Sequence, residues 1–259
     1  MKIVECVPNF SEGRDLAKIK EITNIIESVN GINLLDVDPG IDTNRTVVTF
    51  VGNPENVIEA AFLAIKKASE ILDMEKHSGA HARMGATDVC PFIPVSKTTM
   101  DECVEMSKKL AKRVGHELGI SVYLYENSAS TPSRINLAEV RSGEYEGMAE
   151  KLKNPRWKPD YGPISLNKKA GVTAIGAREF LIAYNINLNT QERKLATDIA
   201  LDIREAGRAK RDEKGAIIRD DAGLMVKVPG LLRATKAVGW YIDEYKQAQV
   251  SMNLVDYNI

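Results

Sequence analysis

Cysteine, histidine and tryptophan are scarce in this 259-residue chain, at three, three and two residues, and neither sign of charge is in excess. Cys6, Cys90 and Cys103 are odd in number, far apart and set in apolar runs. Neither a disulfide framework nor a C-x-x-C metal knuckle fits them, and a reducing cytoplasm is the expectation. Lys and Arg count 35 against 36 for Asp and Glu, a formal net charge of −1. No long-range field is available to grip nucleic acid or an anionic membrane, so neither is an expected partner, and an anionic ligand must be held by local charges. The first acid, Glu5, follows two apolar residues, and no later run approaches the roughly 20 apolar residues of a bilayer span, so neither signal peptide nor membrane helix is expected. The G-x-x-x-x-G-K-[ST] loop, the G-x-G-x-x-G fingerprint and the G-x-S-x-G elbow are missing as well, which removes most of the case for phosphoryl transfer and dinucleotide binding.

What remains is an ordinary globular composition, 44% hydrophobic and 27% charged. At roughly 150 residues per domain, the length allows one large domain or two modest ones. Hydrophobic periodicity gives order to the first half. Lys2 to Val7 reads as a strand ended by Pro8, and Leu16, Ile19, Ile22, Ile25, Ile26 and Val29 share one helix face. Ile32 to Val37 and Thr46 to Val51 form a hairpin across a turn-rich segment. Asn53-Pro54-Glu55 starts a helix to about Leu72, and Val89 to Val95 is a strand that two prolines push toward a sheet edge. The resulting order is β-α-β-β-α-β. Thr99 and Glu102 form a capping box for a helix to about Leu118, and Ile120 to Tyr125 is a further strand. Irregular chain then runs to about Lys169, with one short helix within Gly143 to Lys153.

From Gly171 the pattern restarts, and a second domain, residues 178–259, is expected after a first of 1–177. Thr190 is expected to cap a helix with Leu195, Ile199 and Ile203 turned inward. Gly207 to Gly223 reads as flexible and charged. Val226–Val228, Ala237–Ile242 and Val250–Tyr257 read as strands. This second unit reads β-α-β-β without a closing helix and strand, so its sheet is expected to show an uncovered face or edge.

Three clusters could carry chemistry. His77-Ser-Gly-Ala-His81-Ala-Arg83-Met-Gly-Ala-Thr-Asp88 holds two of the three histidines. An H-x-x-x-H pair suits a metal only on a helix, which Gly79 weakens, and no glutamate follows His77; no metal is expected. The setting of His81 between Gly79 and Gly85, where backbone can approach a ligand, makes it a candidate general acid or base. His116, late in a helix, reads as a cation at a helix C-terminus. In the second cluster, Asp36, Asp38, Asp42, Asn44 and Arg45, the acids Asp36 and Asp38 share one strand face, which fits either a base or hydroxyl-binding pair of acids or turn-forming aspartates with an exposed arginine. In the third, Asp160 to Gly171, glycines expose backbone amides, and Lys168 and Lys169 could hold a carboxylate; by composition alone it reads as linker.

The runs Val4-Glu-Cys-Val-Pro-Asn-Phe-Ser-Glu-Gly13, Leu35-Asp-Val-Asp38, Thr43-Asn-Arg-Thr46, His81-Ala-Arg-Met-Gly-Ala86, Asp88-Val-Cys-Pro-Phe-Ile-Pro-Val95 and Asp160-Tyr-Gly-Pro163 resemble the formiminotransferase domain family. With Tyr184-Asn-Ile-Asn-Leu188 and Ala237-Val-Gly-Trp-Tyr-Ile-Asp243, the resemblance covers almost the whole chain. It implies an α+β fold of two ferredoxin-like subdomains, each a mixed or antiparallel sheet with helices packed on one face, the second incomplete, and a homodimer. It implies a folate-dependent transferase of histidine degradation that moves the formimino group of N-formimino-L-glutamate to tetrahydrofolate. The family's catalytic histidine falls on His81 and its folate segment on Gly162, Pro163, Ile164, Ser165, Leu166, Asn167, Lys168, Lys169, Ala170 and Gly171. Asn167 to Ala170 depart from the more apolar family pattern. Asp38 is expected to orient the imidazole or the pterin, and Arg45, Arg83 and Lys168 to bind substrate carboxylates. The alternative is a folate-binding paralogue or assembly partner without transfer activity.

Overall fold

In the computed structural model, which describes residues 1–259, the first β-rich run folds as two pieces, β1 (Ile3–Cys6) and β2 (Asn9–Phe10), parted at Val7-Pro8. Asp15 accepts from the amides of Ala17 and Lys18 to start α1 (Leu16–Glu27), and a hairpin of β3 (Asn33–Gly40) and β4 (Arg45–Gly52) follows. The Asn53 side chain accepts from Asn56 at the start of α2 (Pro54–Ile71). Beyond it come β5 (Thr87–Ser96), α3 (Met100–Glu117) behind the expected capping box, and β6 (Ser121–Glu126). The long stretch expected to be irregular holds α4 (Leu137–Arg141) and α5 (Glu144–Lys151), and β7 (Val172–Ala177) closes this unit, Met1–Arg178.

The strands form one sheet in which β3 pairs β4, β4 pairs both β1 and β2, these pair β5, and β7 joins β5 to β6. The β5–β7 and β7–β6 ladders are parallel and the others antiparallel. Helices α1, α2 and α3 cover one face, over a core that includes Ile22, Phe50, Ile65, Phe92 and Leu110. The free cysteines Cys6 and Cys90 belong to it, their Sγ atoms 3.5 Å apart, and burial pushes the Cys6 thiol up. On the opposite face α4 and α5 pack over β5, β6 and β7 through Val140, Met148, Val89, Tyr123, Tyr125 and Ala174. β3 and β4 contribute nothing to that second core.

The prolines do not put β5 at an edge; it lies inside the sheet, with β1 and β2 on one side and β7 on the other. The Val7 amide donates to Pro91 O at 3.2 Å, and the reciprocal bond that Pro91 lacks a hydrogen for is replaced by Asn9 Nδ2, which donates to Val7 O at 3.0 Å. Pro94 lies past the last β5–β7 partner, Phe92 opposite Ala177, where no ladder bond is needed. A side-chain amide and a strand end therefore absorb both missing donors.

The unit Glu179–Ile259 contains β8 (Ile182–Asn187), α6 (Arg193–Ile203), a short ladder of β9 (Arg208–Ala209) with β10 (Lys227–Val228), β11 (Thr235–Ile242) and β12 (Gln247–Leu254). β12 pairs with β11 and β8, all antiparallel. The charged stretch expected to be flexible forms two turns of like design, in which Asp212 and Asp220 each accept two downstream amides and Arg211 and Arg219 donate to Gly215 O and Gly223 O.

The expected inward face of α6 is wrong by a rotation of the helix. Ala196 and Ala200 are buried, at 0% and 1% exposure, whereas Leu195 and Ile199 are 45% and 41% exposed, and Ile203 is only partly buried. Close approach explains the choice, because a Cβ on Gly239 of β11 would lie 2.1 Å from the backbone nitrogen of Thr197. A leucine on this face would hold the helix off the strand. Glu192, not Thr190, occupies the N-cap position and makes no side-chain cap bond; Thr190 accepts from the Glu192 amide. No helix of the chain is long and apolar enough to cross a membrane. Gly239→Ala is expected to lower the thermal midpoint by several degrees, an overpacking cost of about 1–3 kcal/mol, while Leu195→Ala shifts it by little. Equal shifts in thermal melts of the two variants would contradict this packing.

Candidate active site

Asn44, at the turn between β3 and β4, has φ +47°, a left-handed conformation that asparagine tolerates better than most residues. Its Oδ1 accepts from the Gly13 amide at 3.0 Å, its Nδ2 donates to Ser78 O at 2.9 Å, and its carbonyl receives a bond from His77 Nε2 at 2.8 Å. One buried turn residue thus joins the chain before α1 to the loop after α2. A side chain on Gly79 would collide with Thr43 O, 2.2 Å from its Cβ position, and the Ala80 amide donates to Asp42 O. These contacts lay residues 77–80 along the hairpin turn and deliver His81 beside it.

His77 and Arg83 are consumed by that framework. The Asn44 carbonyl and the Arg83 guanidinium fix the His77 tautomer, with Nε2–H donating to Asn44 O and Nδ1 accepting from Arg83 Nε at 3.3 Å. Burial holds the His77 pKa below its ordinary value. Arg83 donates through Nη1 to Glu144 and Glu146, and through Nη2 to Glu146 at 2.6 Å and His77 O at 3.3 Å. The expectation that Arg83 binds a substrate carboxylate is corrected: its fork is filled by the first turn of α5, and it clamps the loop.

His81 itself is in a different setting. Its Nδ1 lies 2.6 Å from Ala82 O. A carbonyl only accepts, so Nδ1 carries the hydrogen and Nε2 the lone pair of the neutral ring. Burial first, then the charges of Arg45 and Arg141, push its pKa down to about 4, against the opposing pull of Asp88 and the Ala82 carbonyl. The ring is therefore neutral at pH 7. Arg45 extends from the start of β4, where its Nη1 donates to Asn9 Oδ1 at 2.6 Å, and burial lowers its pKa to about 10, so it keeps its charge. Asp38 pairs opposite Val47 and so shares a sheet face with Arg45, whose charge it supports. Asp38 is exposed. Arg141, at the end of α4, lies with Nη2 2.5 Å from Asp88 Oδ2, and its buried Nε has no protein partner. A neutral imidazole thus sits among two arginines and one buried carboxylate, an arrangement suited to proton transfer beside a bound anion.

The segment Gly162–Gly171 meets this loop at its downstream end. The Ala86 amide donates to Ala170 O at 2.8 Å, and Gly171, at φ +70°, places its missing Cβ 2.3 Å from Met84 O. Ser121 Oγ bonds Pro163 O, Tyr145 Oη bonds Lys168 O, and the Met74 amide bonds Lys169 O. Asn167 Oδ1 accepts from the Ala170 amide, and its carbonyl accepts from Gly171. Lys169 Nζ donates to Glu70 O near the end of α2. Ile164, Ser165 and Lys168 are exposed, Leu166 packs partly against the second core, and Lys168 Nζ lies 4.0 Å from Glu75. His116 stands apart, in the last turn of α3 against Tyr161.

Sequence reasoning passed over Asn9 and Arg141. Asn9 reads as turn chemistry after Pro8, although a polar residue between two strand pieces is a signal. Arg141 lies in chain that reads as loop, and no local pattern marks it. Asn44→Ala is expected to cost about 2–3 kcal/mol, from two lost side-chain bonds and the left-handed backbone, and to speed hydrogen exchange at Gly13 and Ala80. Asn44→Gly relieves only the backbone part; exchange unchanged in both variants would show that the turn does not organise the loop.

Comparison with known proteins bears on the whole chain. The family model "Formiminotransferase domain, N-terminal subdomain" matches residues 3–178, and "Formiminotransferase domain" matches residues 183–259. Formimidoyltransferase-cyclodeaminase of Dictyostelium discoideum is 49% identical over 257 residues, which is 99% of this chain and 44% of that protein. Glutamate formimidoyltransferase of Streptococcus pyogenes serotype M1 is 46% identical over 256 residues, and that of Thermoplasma acidophilum 44% over 259, each match covering 99% of this chain and 78% of the relative. The chain thus spans less than half the length of the cyclodeaminase relative and about three quarters of the other two. With residues 3–178 and 183–259 matched by the two models, the chain belongs to the formiminotransferase domain family.

Proposed function

We propose that the chain is a glutamate formimidoyltransferase, moving the formimino group from N-formimino-L-glutamate to tetrahydrofolate, with 5-formiminotetrahydrofolate and L-glutamate as products, in histidine degradation. The observation that carries the reading is the partly buried His81 ring, whose Nδ1–H is tied to Ala82 O so that Nε2 is its basic nitrogen. Both relatives that it matches over 78% of their length are named glutamate formimidoyltransferase, which supports the reading.

In this reading N5 of tetrahydrofolate attacks the formimino carbon, forming a carbon–nitrogen bond and a tetrahedral centre. His81 Nε2 takes the proton released from N5. The resulting imidazolium returns that proton to the glutamate nitrogen as its bond to carbon breaks, so one group serves as base and then as acid. Arg45 and Arg141 are suited to a carboxylate of either substrate, Arg141 through the Nε that has no protein partner. A carboxylate bound there also offsets the charges that oppose protonation of His81, so the ring becomes a better base once substrate is present. The segment Gly162, Pro163, Ile164, Ser165, Leu166, Asn167, Lys168, Lys169, Ala170 and Gly171 is the proposed folate contact. Its anchored carbonyls hold the backbone, and Ile164, Ser165 and Lys168 are left to face a ligand.

His81→Ala is expected to lower turnover in a formiminoglutamate and tetrahydrofolate assay by about 100-fold or more, with folate affinity changed far less. Retained turnover removes the assignment, and folate binding by the wild-type chain without glutamate release identifies a binding paralogue instead. For the wild type, kcat/KM is expected to hold from neutral pH down to about 5 and then fall, because the ring of the free protein protonates at about 4. A loss already complete at pH 6 would contradict this setting of His81.

A further inference from the structure

Asp88 has no exposed surface, although it stands among apolar residues at the start of β5. Its Oδ1 accepts from the Met84 amide at 3.0 Å, and its Oδ2 meets Arg141. Removing a carboxylate from water costs several kcal/mol unless it is paired and hydrogen-bonded, so packing alone does not account for this side chain. Its partner is held as deliberately. α4 is a five-residue helix, and Lys151 Nζ reaches back from α5 to donate to the carbonyls of Glu139, Val140 and Ser142 at 2.8, 2.7 and 3.0 Å, the C-terminal acceptors on either side of Arg141. Lys151 also lies 4.0 Å from the centre of the Trp157 ring. Two elements distant in sequence are thereby locked where loop 81–86 enters β5.

Resting on the reading of His81 as the proton-transfer group, we propose that Asp88 and Arg141 form its positioning pair. Asp88 closes the turn from which the histidine loop hangs, through the Met84 amide, and its other oxygen holds Arg141 at the entry of that loop into β5. The charged groups that act on His81 include Arg45 from β4, Arg141 from α4 and Asp88 from β5, beside the carbonyl of Ala82 on its own loop, and Asp38 on β3 acts on Arg45. Neither Asp88 nor Arg141 exchanges a proton in this scheme. Their charges act on His81 in opposite senses, and that opposition separates positioning from mere structural support.

The test is the titration of His81, followed by NMR of the ring Cε1 in full-length protein labelled at its three histidines, with His77→Asn and His116→Asn to assign the signals. Arg141→Met is expected to raise the midpoint by about one pH unit, because a cation is lost and the Asp88 carboxylate is released to act alone. Asp88→Asn retains an acceptor for the Met84 amide and is expected to shift the midpoint in the downward direction. Both variants are expected to lose about tenfold in kcat, with the acid limb of kcat/KM moving in the same two directions. If Arg141→Met does not fold, Arg141→Lys keeps the charge without the planar fork and is expected to lower kcat at an unchanged midpoint. Midpoints that stay put, or move the same way, in folded Met and Asn variants overturn the positioning pair. Opposed shifts in a chain with no transfer activity would uphold the electrostatic pair and sink the function assigned to the site, so the two failures are distinguishable.

Discussion

Burial first, and then the charges of Arg45 and Arg141, disfavour a further positive charge at His81, and the neutral state of its ring follows from that constraint. Neutrality leaves Nε2 with a lone pair, while the Ala82 carbonyl decides which nitrogen holds the hydrogen. The arginines must also be kept charged and close, and the structure does so with one acceptor each: Asn9 for Arg45 and Asp88 for Arg141. Asn9 is available because the strand is broken at Val7-Pro8, where its amide already replaces the bond that Pro91 cannot make. The break in the sheet and the charge in the site are thus linked through a single side chain.

The sheet contributes in a second way. Helices α1 to α3 fill one face, whereas α4 and α5 cover only the β5–β7–β6 part of the other. Loop 77–86 crosses beside that second core, pinned at one end by Asn44 and at the other by Asp88 and the Gly85–Gly171 bridge. Close backbone approach makes this route possible. A side chain at Gly79 or Gly171 would lie 2.2 Å or 2.3 Å from a carbonyl oxygen of the neighbouring segment.

Much of this was legible in the sequence, and the residues that escaped share a cause. Periodicity locates α1, and caps help to locate α2 and α3, since Asn53 and the Thr99–Glu102 box act within one turn of the residues they mark. His81 stands out from composition and glycine spacing, and the β-α-β-β-α-β order of the first unit follows from alternation alone. The interior place of β5 does not, because the reason its prolines are tolerated lies in Asn9 and in the length of β7. Nor does the buried face of α6. Apolar periodicity favours Leu195 and Ile199, but the strand opposite carries Gly239 and admits only the alanine face. Arg83 and Arg141 have the same chemistry and opposite fates. One is saturated by Glu144 and Glu146 while the other keeps an unpartnered Nε, a distinction made by long-range contacts that no local pattern marks.

The ionisation and tautomer of His81 are where the account is most exposed to refutation. The direct measurement is the ¹⁵N NMR spectrum of the histidine rings in the wild-type chain at pH 7, with the His81 signals identified by their loss in His81→Asn. The account predicts a neutral ring protonated at Nδ1, with an unprotonated Nε2. An imidazolium at that pH, or a neutral ring carrying its hydrogen on Nε2, would contradict it.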